Sequence, residues 1–402
     1  MGSSECSKPP NSSSNQIQSA AMPFLPEEIV REIIGCLPPK ALLRFRSVSR
    51  SWRSLIDSKQ FIQLHLHNSL RSNTNLTLLV DSSRFYCVDL DSFNQLQVGD
   101  ARIEPFSVKG SSNGLVLLTP TSGDIFLWNP AIRKQLKLAA QPPIPHRFFR
   151  FDYVQAIFAL GYDSKHDDYK VVSVNQAVTG RDGNTFATET TIYSLKSNSW
   201  KKAKDFPYLL PRHTSRWGIY LNGALHTVAK HGDNPEMVIM AFDLGKEEHR
   251  EIPLPEHSVG AIRGLESVEV MGGCLAAVVP GRKCSTEIWL MKEYGVKQSW
   301  MKLLQLDPPP RGDLRPLAFS KSGGEVLLND DGMCLSWYDL KKKTAAIARV
   351  SGFSASFEAK ADEPFFDTEV VVGSLVWPCV EEAHGPRKGV KEMKIKKRKV
   401  VS

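Results

Sequence analysis

LPEEIVREIIGCLPPKALLRFRSVSRSWRSLIDSKQFIQLHL, residues 25–66, has the amino-acid pattern of a small bundle of helices. In its first part, Leu25, Ile29, Ile33 and Leu37 follow one another at intervals of four residues. This spacing places apolar side chains on one face of a helix. The segment therefore predicts an amphipathic helix at its start, with further short helices behind it.

Prolines and apolar residues divide the rest of this stretch into three more helices. Pro38 and Pro39 end the first helix and begin the second, which we expect over residues 40–46. The third and fourth helices are expected over residues 49–56 and 59–66. A bundle of this size buries little surface and is marginal by itself. Its many apolar residues predict either a cap packed on a larger domain or a docking module whose apolar face meets a partner.

The same stretch resembles the F-box, the motif that docks on the Skp adaptor of cullin-based ubiquitin ligases. The resemblance rests on the Leu-Pro start at residue 25, the second Leu-Pro at residue 37, and LLRFRSVSRSW at residues 42–52. It implies that a set of mainly apolar side chains forms the adaptor-binding face or the core behind it: Leu25, Pro26, Ile29, Ile33, Leu37, Pro38, Leu42, Val48 and Trp52. The residues alone do not divide this set between the two roles.

Glycines followed by alternating apolar residues recur through the remainder of the chain. NGALHTV, GGCLAAV and GGEVLL place such strands after Gly223, Gly273 and Gly324, at intervals of 50 and 51 residues. A second unit, an aromatic strand followed by a polar turn and a return strand, recurs with a similar period. A period of about 50 residues with about four strands per unit is typical of a kelch-like β-propeller blade. We therefore predict an all-β domain, a propeller of six blades, after the small all-α module; a two-sheet β sandwich is the alternative.

A propeller must close on itself, because an open ring leaves strand edges exposed. The late strand at residues 369–377 has no hairpin partner after it in the sequence. We predict that it pairs with the first strands, at residues 76–89. The two ends of the domain would then complete one blade together.

The β region also resembles the F-box-associated interaction domain of plant F-box proteins. The resemblance covers residues 76–379 and rests on the order and spacing of SSNGLVLL, LWNPAIRK, LGYDSKHDDYKVV, IYSLKSNSWKK and VVVGSLVW. Within that family the sequence resembles the subgroup that includes the constitutive-expresser-of-pathogenesis-related-genes F-box protein. We expect four parts: a disordered leader at 1–21, the F-box at 22–68, the interaction domain at 75–380 and a basic disordered tail at 381–402.

The net charge of +8 is concentrated in the C-terminal tail. From His384 onward, eight basic residues accompany one acid, so the rest of the chain is close to neutral. A neutral folded domain lacks the basic surface that DNA and RNA binding requires, and no nucleic-acid partner is expected. The tail contains KKRKV at residues 396–400, which resembles a nuclear-localisation signal and predicts a nuclear as well as a cytoplasmic location. A solubilising tail or a contact with an acidic surface are the alternatives. The signal residues are Lys396, Lys397, Arg398 and Lys399.

The sequence contains no motif for catalysis, a cofactor or a metal. It has no GxxxxGK[ST] phosphate loop, no GxSxG elbow and no CxxC pair. Asp163, Asp167 and Asp168 form the densest carboxylate group, but their place between two strands favours a polar turn. His65 and His67 are expected at the surface, and no apolar run approaches the roughly 18 residues of a membrane span. We expect no cofactor, metal, membrane partner or catalysis; a kelch-propeller oxidase or glycosidase with polar residues converging on the channel is the alternative.

Residues that bind a target are expected in the non-repetitive loops, since propellers bind partners with loops of one face. These loops are residues 141–153, 175–189, 205–217 and 308–315. Two of them, with HRFFRF and PRHTSRW, combine aromatic and arginine residues, which are enriched at binding hot spots. The candidate target-binding residues are His146, Arg147, Phe148, Phe149, Arg212, His213 and Arg216.

Together the two resemblances imply the substrate-recognition subunit of a Skp–cullin–F-box ubiquitin ligase. The F-box would dock on the Skp adaptor and, through it, on a cullin-RING ligase. The β domain would hold a target protein, unidentified by the sequence, for ubiquitination and degradation. The alternative is a non-degradative interaction scaffold that uses the same adaptor.

Overall fold

Four helices precede a ring of β-sheets in the computed structural model of the chain. The structure describes residues 26–81, 85–92, 94–96, 106–120, 123–179, 185–211, 218–231, 236–255, 265–281, 285–309, 312–348 and 366–378. The expected leader and basic tail lie outside these residues. Within the described ranges, no helix is both long enough and apolar enough to cross a membrane.

The helices, called the helical module below, are α1 (Glu27–Gly35), α2 (Pro39–Phe45), α3 (Arg50–Asp57) and α4 (Lys59–Ser72). Pro39 occupies the first turn of α2, where its missing N–H costs nothing. Ser49 caps α3 by accepting a hydrogen bond from the Trp52 N–H at 3.1 Å, and Ser58 caps α4 in the same way at 3.2 Å. Asn73 ends α4 in the left-handed conformation, with φ of 52°.

Six antiparallel sheets follow, and each forms one blade of a propeller. Blade 1 receives β1 (Leu76–Asp81), β2 (Phe85–Asp89) and β3 (Asn94–Leu96); blade 2 has β4 (Phe106–Ser112), β5 (Leu115–Pro120), β6 (Phe126–Asn129) and β7 (Lys134–Lys137); blade 3 has β8 (Tyr153–Asp163), β9 (Asp168–Thr179), β10 (Thr185–Ser194) and β11 (Ser199–Lys202). Blade 4 has β12 (Tyr208–Leu209), β13 (Ile219–Leu221), β14 (Ala224–His231), β15 (Met237–Asp243) and β16 (Glu248–Ile252); blade 5 has β17 (Ser267–Met271), β18 (Cys274–Pro280), β19 (Thr286–Met291) and β20 (Trp300–Leu306); blade 6 has β21 (Leu314–Phe319), β22 (Glu325–Asp330), β23 (Cys334–Asp339) and β24 (Thr344–Ile347). The last strand, β25 (Asp367–Val372), completes blade 1.

The ring closes by pairing the two ends of the β domain. β25 runs antiparallel to β1, with Leu76 opposite Val372 and Asp81 opposite Asp367. The prediction of a blade completed from both ends is therefore confirmed, although the strand starts two residues earlier than expected and ends at Val372. The six-bladed propeller is confirmed with it, and the sandwich alternative is wrong.

One expected loop is a pair of strands. Residues 175–189 are expected to form a loop because the segment lies outside the repeats, but Asn175 pairs with Glu189 inside the β9–β10 hairpin. Both polar side chains are buried. Gln176 exchanges two hydrogen bonds with the backbone of Leu210, at 3.0 and 2.8 Å, which offsets the cost of its burial. The sequence does not show that the Gln176 amide will bond to the backbone of Leu210. A polar residue in a buried strand is therefore easily mistaken for a loop residue.

Apolar clusters fill the spaces between neighbouring blades. For example, Val172 and Ile192 of blade 3 pack with Leu225, Met240 and Phe242 of blade 4. Such clusters recur around the ring and make each blade depend on its neighbours. β25 of blade 1 and β4, β8, β13, β17 and β21 of the other blades lie innermost and surround a central channel.

Candidate functional site

The helical module has an apolar core and an apolar outer surface. Ile34 of α1, Leu42 of α2, Ile56 of α3 and Phe61 of α4 are buried together in its interior. On the outside, Ile29 and Ile33 of α1 are 42% and 53% exposed, and Val48, between α2 and α3, is 65% exposed. An apolar surface of this kind on a small module is typical of a protein-binding site.

The structure divides the predicted adaptor-binding residues between surface and interior. Pro26, Ile29, Ile33, Pro38 and Val48 are exposed. Leu37 and Trp52 are half-buried, and Leu42 is fully buried. Leu25 lies just outside the described residues. Leu42 therefore belongs to the core behind the surface, whereas the exposed residues remain candidates for the surface itself.

His65 is buried in the helical module, contrary to the expectation of a surface position. Its Nε2 lies 2.9 Å from the carbonyl oxygen of Leu37, and it stacks beside Phe61. Burial lowers the pKa of His65, and the hydrogen bond to the Leu37 carbonyl opposes this effect only in part. The neutral ring therefore links α4 to the α1–α2 turn. A histidine at helical spacing looks the same whether its face is exposed or covered, and so the sequence could not place it.

The helical module sits on the ring through a segment that sequence reasoning missed. Leu375, just after β25, packs into the module core, and Ile132, in the β6–β7 turn, packs beside it. Lys59 at the start of α4 also forms an exposed ion pair with Asp167 in the β8–β9 turn. Ile29 and Ile33 do not take part in this contact. The sequence feature that corresponds to this contact is the apolar run SLVWP, residues 374–378, after the last strand.

The module covers one face of the ring, called the module face below. Ser69, Leu70 and Asn73 line a cavity of about 440 Å³ in the channel together with residues 110–114 at the end of β4 and Val372 at the end of β25. The inner strands therefore run towards the module face. Because the strands of a blade alternate in direction, the connection from one blade to the next returns to the opposite face, called the free face below.

The β7–β8 connection carries the sequence-predicted HRFFRF segment to the free face. Its residues form a 3₁₀ helix, His146–Arg150. Phe149 is 66% exposed, and the ring of His146 lies edge-on to it at 5.7 Å. Phe148 is completely buried, so the prediction that it binds a target is wrong. Adjacent residues of a tight helix point in different directions, and here one aromatic ring anchors the helix while the next faces solvent.

Two cations flank Phe149. Arg147 Nη2 lies 3.2 Å from Glu189 Oε2 of β10, and its guanidinium lies over the Phe148 ring. The guanidinium of Arg150 lies over the Phe151 ring at 5.9 Å. Of the remaining candidates, Arg212, His213 and Arg216 lie outside the described residues, as do the basic residues of the tail.

A charged clamp occupies the channel. Arg315 of β21 donates from Nε to Glu269 Oε1 of β17 at 2.5 Å and from Nη1 to Asp367 Oδ1 of β25 at 3.0 Å. Burial disfavours the cation, but the carboxylates of Glu269 and Asp367 outweigh it and raise the pKa of Arg315. The clamp links blades 5, 6 and 1, so these charged side chains have a structural role in the channel.

The aspartate group at the β8–β9 turn also has a structural use. Asp163 is buried and accepts hydrogen bonds from the backbone N–H groups of Lys165 and His166, at 3.0 and 3.2 Å. Burial opposes its charge, yet hydrogen bonds from Lys170 and His166 hold the pKa of Asp163 below its usual value. Asp168 accepts from the Lys196 N–H at 2.9 Å. Among the described residues, no group of three or more His, Cys, Asp or Glu side chains has metal-binding geometry.

Comparison with known families assigns both parts of the chain. Residues 22–64 match the F-box domain model, and residues 88–376 match the model of the F-box associated beta propeller domain. F-box protein CPR1 of Arabidopsis thaliana is 32% identical over 389 residues, covering 89% of this chain and 90% of its own length. A second F-box protein of the same plant is 28% identical over 383 residues, covering 88% and 90%. An F-box/kelch-repeat protein, also from that plant, is 31% identical over 323 residues, covering 76% and 85%.

Proposed function

The chain belongs to the F-box proteins that carry an F-box-associated β-propeller, and on this premise we propose that it is the substrate-recognition subunit of a Skp–cullin–F-box ubiquitin ligase. F-box proteins are generally non-catalytic adaptor subunits, so the chain would promote ubiquitination without performing bond chemistry itself. It would hold a target protein close to a conjugating enzyme, which raises the effective concentration of the target's lysines.

The observation that carries this proposal is the separation of two surfaces. The helical module is fixed to the module face by Leu375 and keeps Ile29 and Ile33 exposed. The free face of the ring, with Phe149, lies on the other side. A receptor needs this arrangement, because the adaptor and the target must bind at the same time without competing for one surface.

We propose that Ile29, Ile33, Val48 and the exposed prolines form the adaptor-binding surface. The test is Ile33→Asp, which places a charge on an apolar contact without touching the module core. Met301→Asp on β20 is the matched control, because Met301 is an apolar residue of similar exposure, 52% against 53% for Ile33. We expect Ile33→Asp to weaken binding of a purified Skp adaptor by at least about tenfold, as for a central interface residue. Equal binding by the two variants would contradict the proposal.

We propose that the free face around the 3₁₀ helix holds the target, with Phe149 as the apolar anchor and Arg147 and Arg150 beside it. This arrangement suits a partner segment that combines an apolar side chain with an acidic one. Arg212, His213 and Arg216 are proposed as further contacts with the target. A chain with Ile33→Asp should capture targets without delivering them, whereas Ile33→Asp with Phe149→Ser should lose them. A target of the ligase must also accumulate when the proteasome is inhibited; a captured protein whose level does not change would indicate the scaffold alternative.

We further propose that Lys396, Lys397, Arg398 and Lys399 direct part of the protein to the nucleus. Their support is the clustered charge of the tail. Replacing all four with alanine should leave a fluorescent fusion in the cytoplasm while the parent fusion enters the nucleus. An unchanged distribution would remove the signal from the proposal and leave the ligase function unaffected.

A further inference from the structure

Residues 373–378, which follow the ring-closing strand, are tied to the propeller on one side. The Gly373 N–H donates to the Asn75 carbonyl at 2.7 Å, and the Ser374 hydroxyl donates to the Asn113 carbonyl at 2.7 Å. Asn129 is completely buried and donates from Nδ2 to the carbonyls of Ser374 and Val376, at 3.2 and 2.8 Å. These bonds hold the segment against blade 2 and against the start of β1 in blade 1.

The other side of the same segment belongs to the helical module. Leu375 is buried in one cluster with Ile34, Leu42, Ile56 and Phe61, each of which comes from a different helix. Val376 and Trp377 pack instead with the core between blades 2 and 3. Leu375 is thus a core residue of the module, supplied by a part of the chain that lies about 300 residues after it.

The fit leaves little room for the segment to shift. A Cβ atom added at Gly373 would lie 3.0 Å from the Asn75 oxygen and 3.3 Å from Pro39 Cγ of α2. A Cβ at Gly114, whose φ is +87°, would lie 2.3 Å from Ser374 Oγ. Glycine is required at position 114 both for its backbone conformation and for this close approach.

We propose that residues 373–378 are a clasp, in which Leu375 positions the helical module and makes adaptor docking depend on closure of the ring. Leu375 is covalently continuous with β25, the strand that closes the ring. If β25 leaves blade 1, Leu375 leaves the module core with it. Among the described residues, the module's further contacts with the ring include Ile132, a hydrogen bond from Asn75 Nδ2 to Ser69 Oγ at 2.8 Å, and the exposed Lys59–Asp167 pair, and an exposed pair contributes little. A receptor with an open ring would then bind the adaptor weakly, and damaged receptors would be kept out of the ligase.

This inference rests on the proposed adaptor docking, and the experiment separates the two. Leu375→Ala is compared in the full chain with Leu328→Ala, which removes a leucine that is also buried, in the core between blades 5 and 6. The readouts are the Kd for a purified Skp adaptor and the hydrogen exchange of the α1 and α2 amides at a temperature where both variants remain folded. Leu375→Ala should raise the Kd about tenfold or more and speed exchange in α1 and α2 by a similar factor. Leu328→Ala should leave both readouts near the wild-type values.

Asn129→Asp provides a second route to the same result if Leu375→Ala does not fold. It keeps the oxygen that accepts from the Ala131 and Ile132 N–H groups but removes the donors to Ser374 and Val376. We expect weaker adaptor binding although no module residue has changed, and Leu375→Met should bind as the wild type does. Wild-type Kd values in both Leu375→Ala and Asn129→Asp would overturn the clasp. Failure of the wild-type chain to bind the adaptor would instead overturn the proposed function.

Discussion

Phe148 and Phe149 are adjacent in the sequence, but one side chain is buried and the other is exposed to solvent. Phe148 is completely buried under the 3₁₀ helix, whereas Phe149 projects from it. We predict that Phe148→Ala lowers the free energy of unfolding by about 3–5 kcal/mol, because it leaves a cavity in a packed site. Phe149→Ala should change it by less than about 0.5 kcal/mol. Urea denaturation of both variants checks this, and equal losses would show that Phe149 is not a surface residue.

His226 couples the stability of the ring to pH. It is buried, its Nδ1–H donates to the Ile219 carbonyl at 3.1 Å, and its Nε2 accepts from the Tyr294 hydroxyl at 2.5 Å. Arg250 Nη2 in turn donates to the Tyr294 oxygen at 2.9 Å. Burial lowers the pKa of His226 to about 4; the Ile219 hydrogen bond opposes the shift, and the nearby charge of Arg250 adds to it.

The sign of the pH effect follows from this lowered pKa. Between pH 6.5 and pH 4 the unfolded chain takes up a proton at His226 that the folded chain does not. We therefore predict that this residue removes about 3 kcal/mol of stability as the pH falls through that range. His226→Gln should have a flatter dependence of the unfolding free energy on pH than the wild type. Parallel curves would mean that His226 is as easily protonated in the folded chain as in the unfolded one.

At some positions the sequence does not show whether a side chain is buried or exposed. The F-box pattern picked out Ile29, Ile33 and Leu42 together, since a helical period reveals an apolar face but not what covers it. Leu42 is in the core and Ile33 is at the surface. His65 was misplaced for the same reason. Burial depends on which other elements pack against a helix, and that information lies elsewhere in the chain.

At the scale of elements, the inner strands depend on Arg315. It joins β17, β21 and β25 through Glu269 and Asp367. Removing the cation leaves two mostly buried carboxylates without their partner, which is costly. We predict that Arg315→Met lowers the free energy of unfolding by about 3 kcal/mol even though it keeps most of the aliphatic stem.

The control for Arg315 is an exposed ion pair on the same ring. Lys342 Nζ lies 3.1 Å from Asp339 Oδ2 and is largely exposed to solvent. Lys342→Met should cost less than about 1 kcal/mol, because exposed pairs contribute little. The measurement is chemical denaturation at low and at 0.5 M salt. If both variants lost the same small amount, the channel clamp would have no special role in stability.

Repeated elements were predictable, and the exceptions have physical causes. The glycine-turn units and the period of about 50 residues identified the blades, because each blade has the same strands and packs against its neighbours in the same way. The β9–β10 hairpin was partly missed since Asn175 and Gln176 are polar side chains in a buried strand. The clasp was missed entirely. Its role depends on Leu375 meeting helices from the other end of the chain, and no local pattern records such a contact.

At the scale of the whole molecule, β25 is the strand that closes the propeller ring. β25 pairs with β1 over six residues, and it also lies beside β4 and β21 of the neighbouring blades. Without it, β1 has an open edge and the channel loses one of its six walls. The helical module loses Leu375 as well, so one short segment supports both domains.

We therefore predict that a chain that ends before β25 cannot close the ring. A chain ending at residue 365 should unfold or aggregate, whereas a chain ending at residue 378, which lacks the tail and the two residues before it, should melt at the wild-type temperature. A synthetic peptide of residues 366–378 should restore a cooperative melting transition and adaptor binding to the shorter chain. A peptide with Leu375→Ala should restore the transition but bind the adaptor more weakly, because it closes the ring without completing the module core. If the chain ending at residue 365 melted as the wild type does, ring closure by β25 would not be what holds the molecule together.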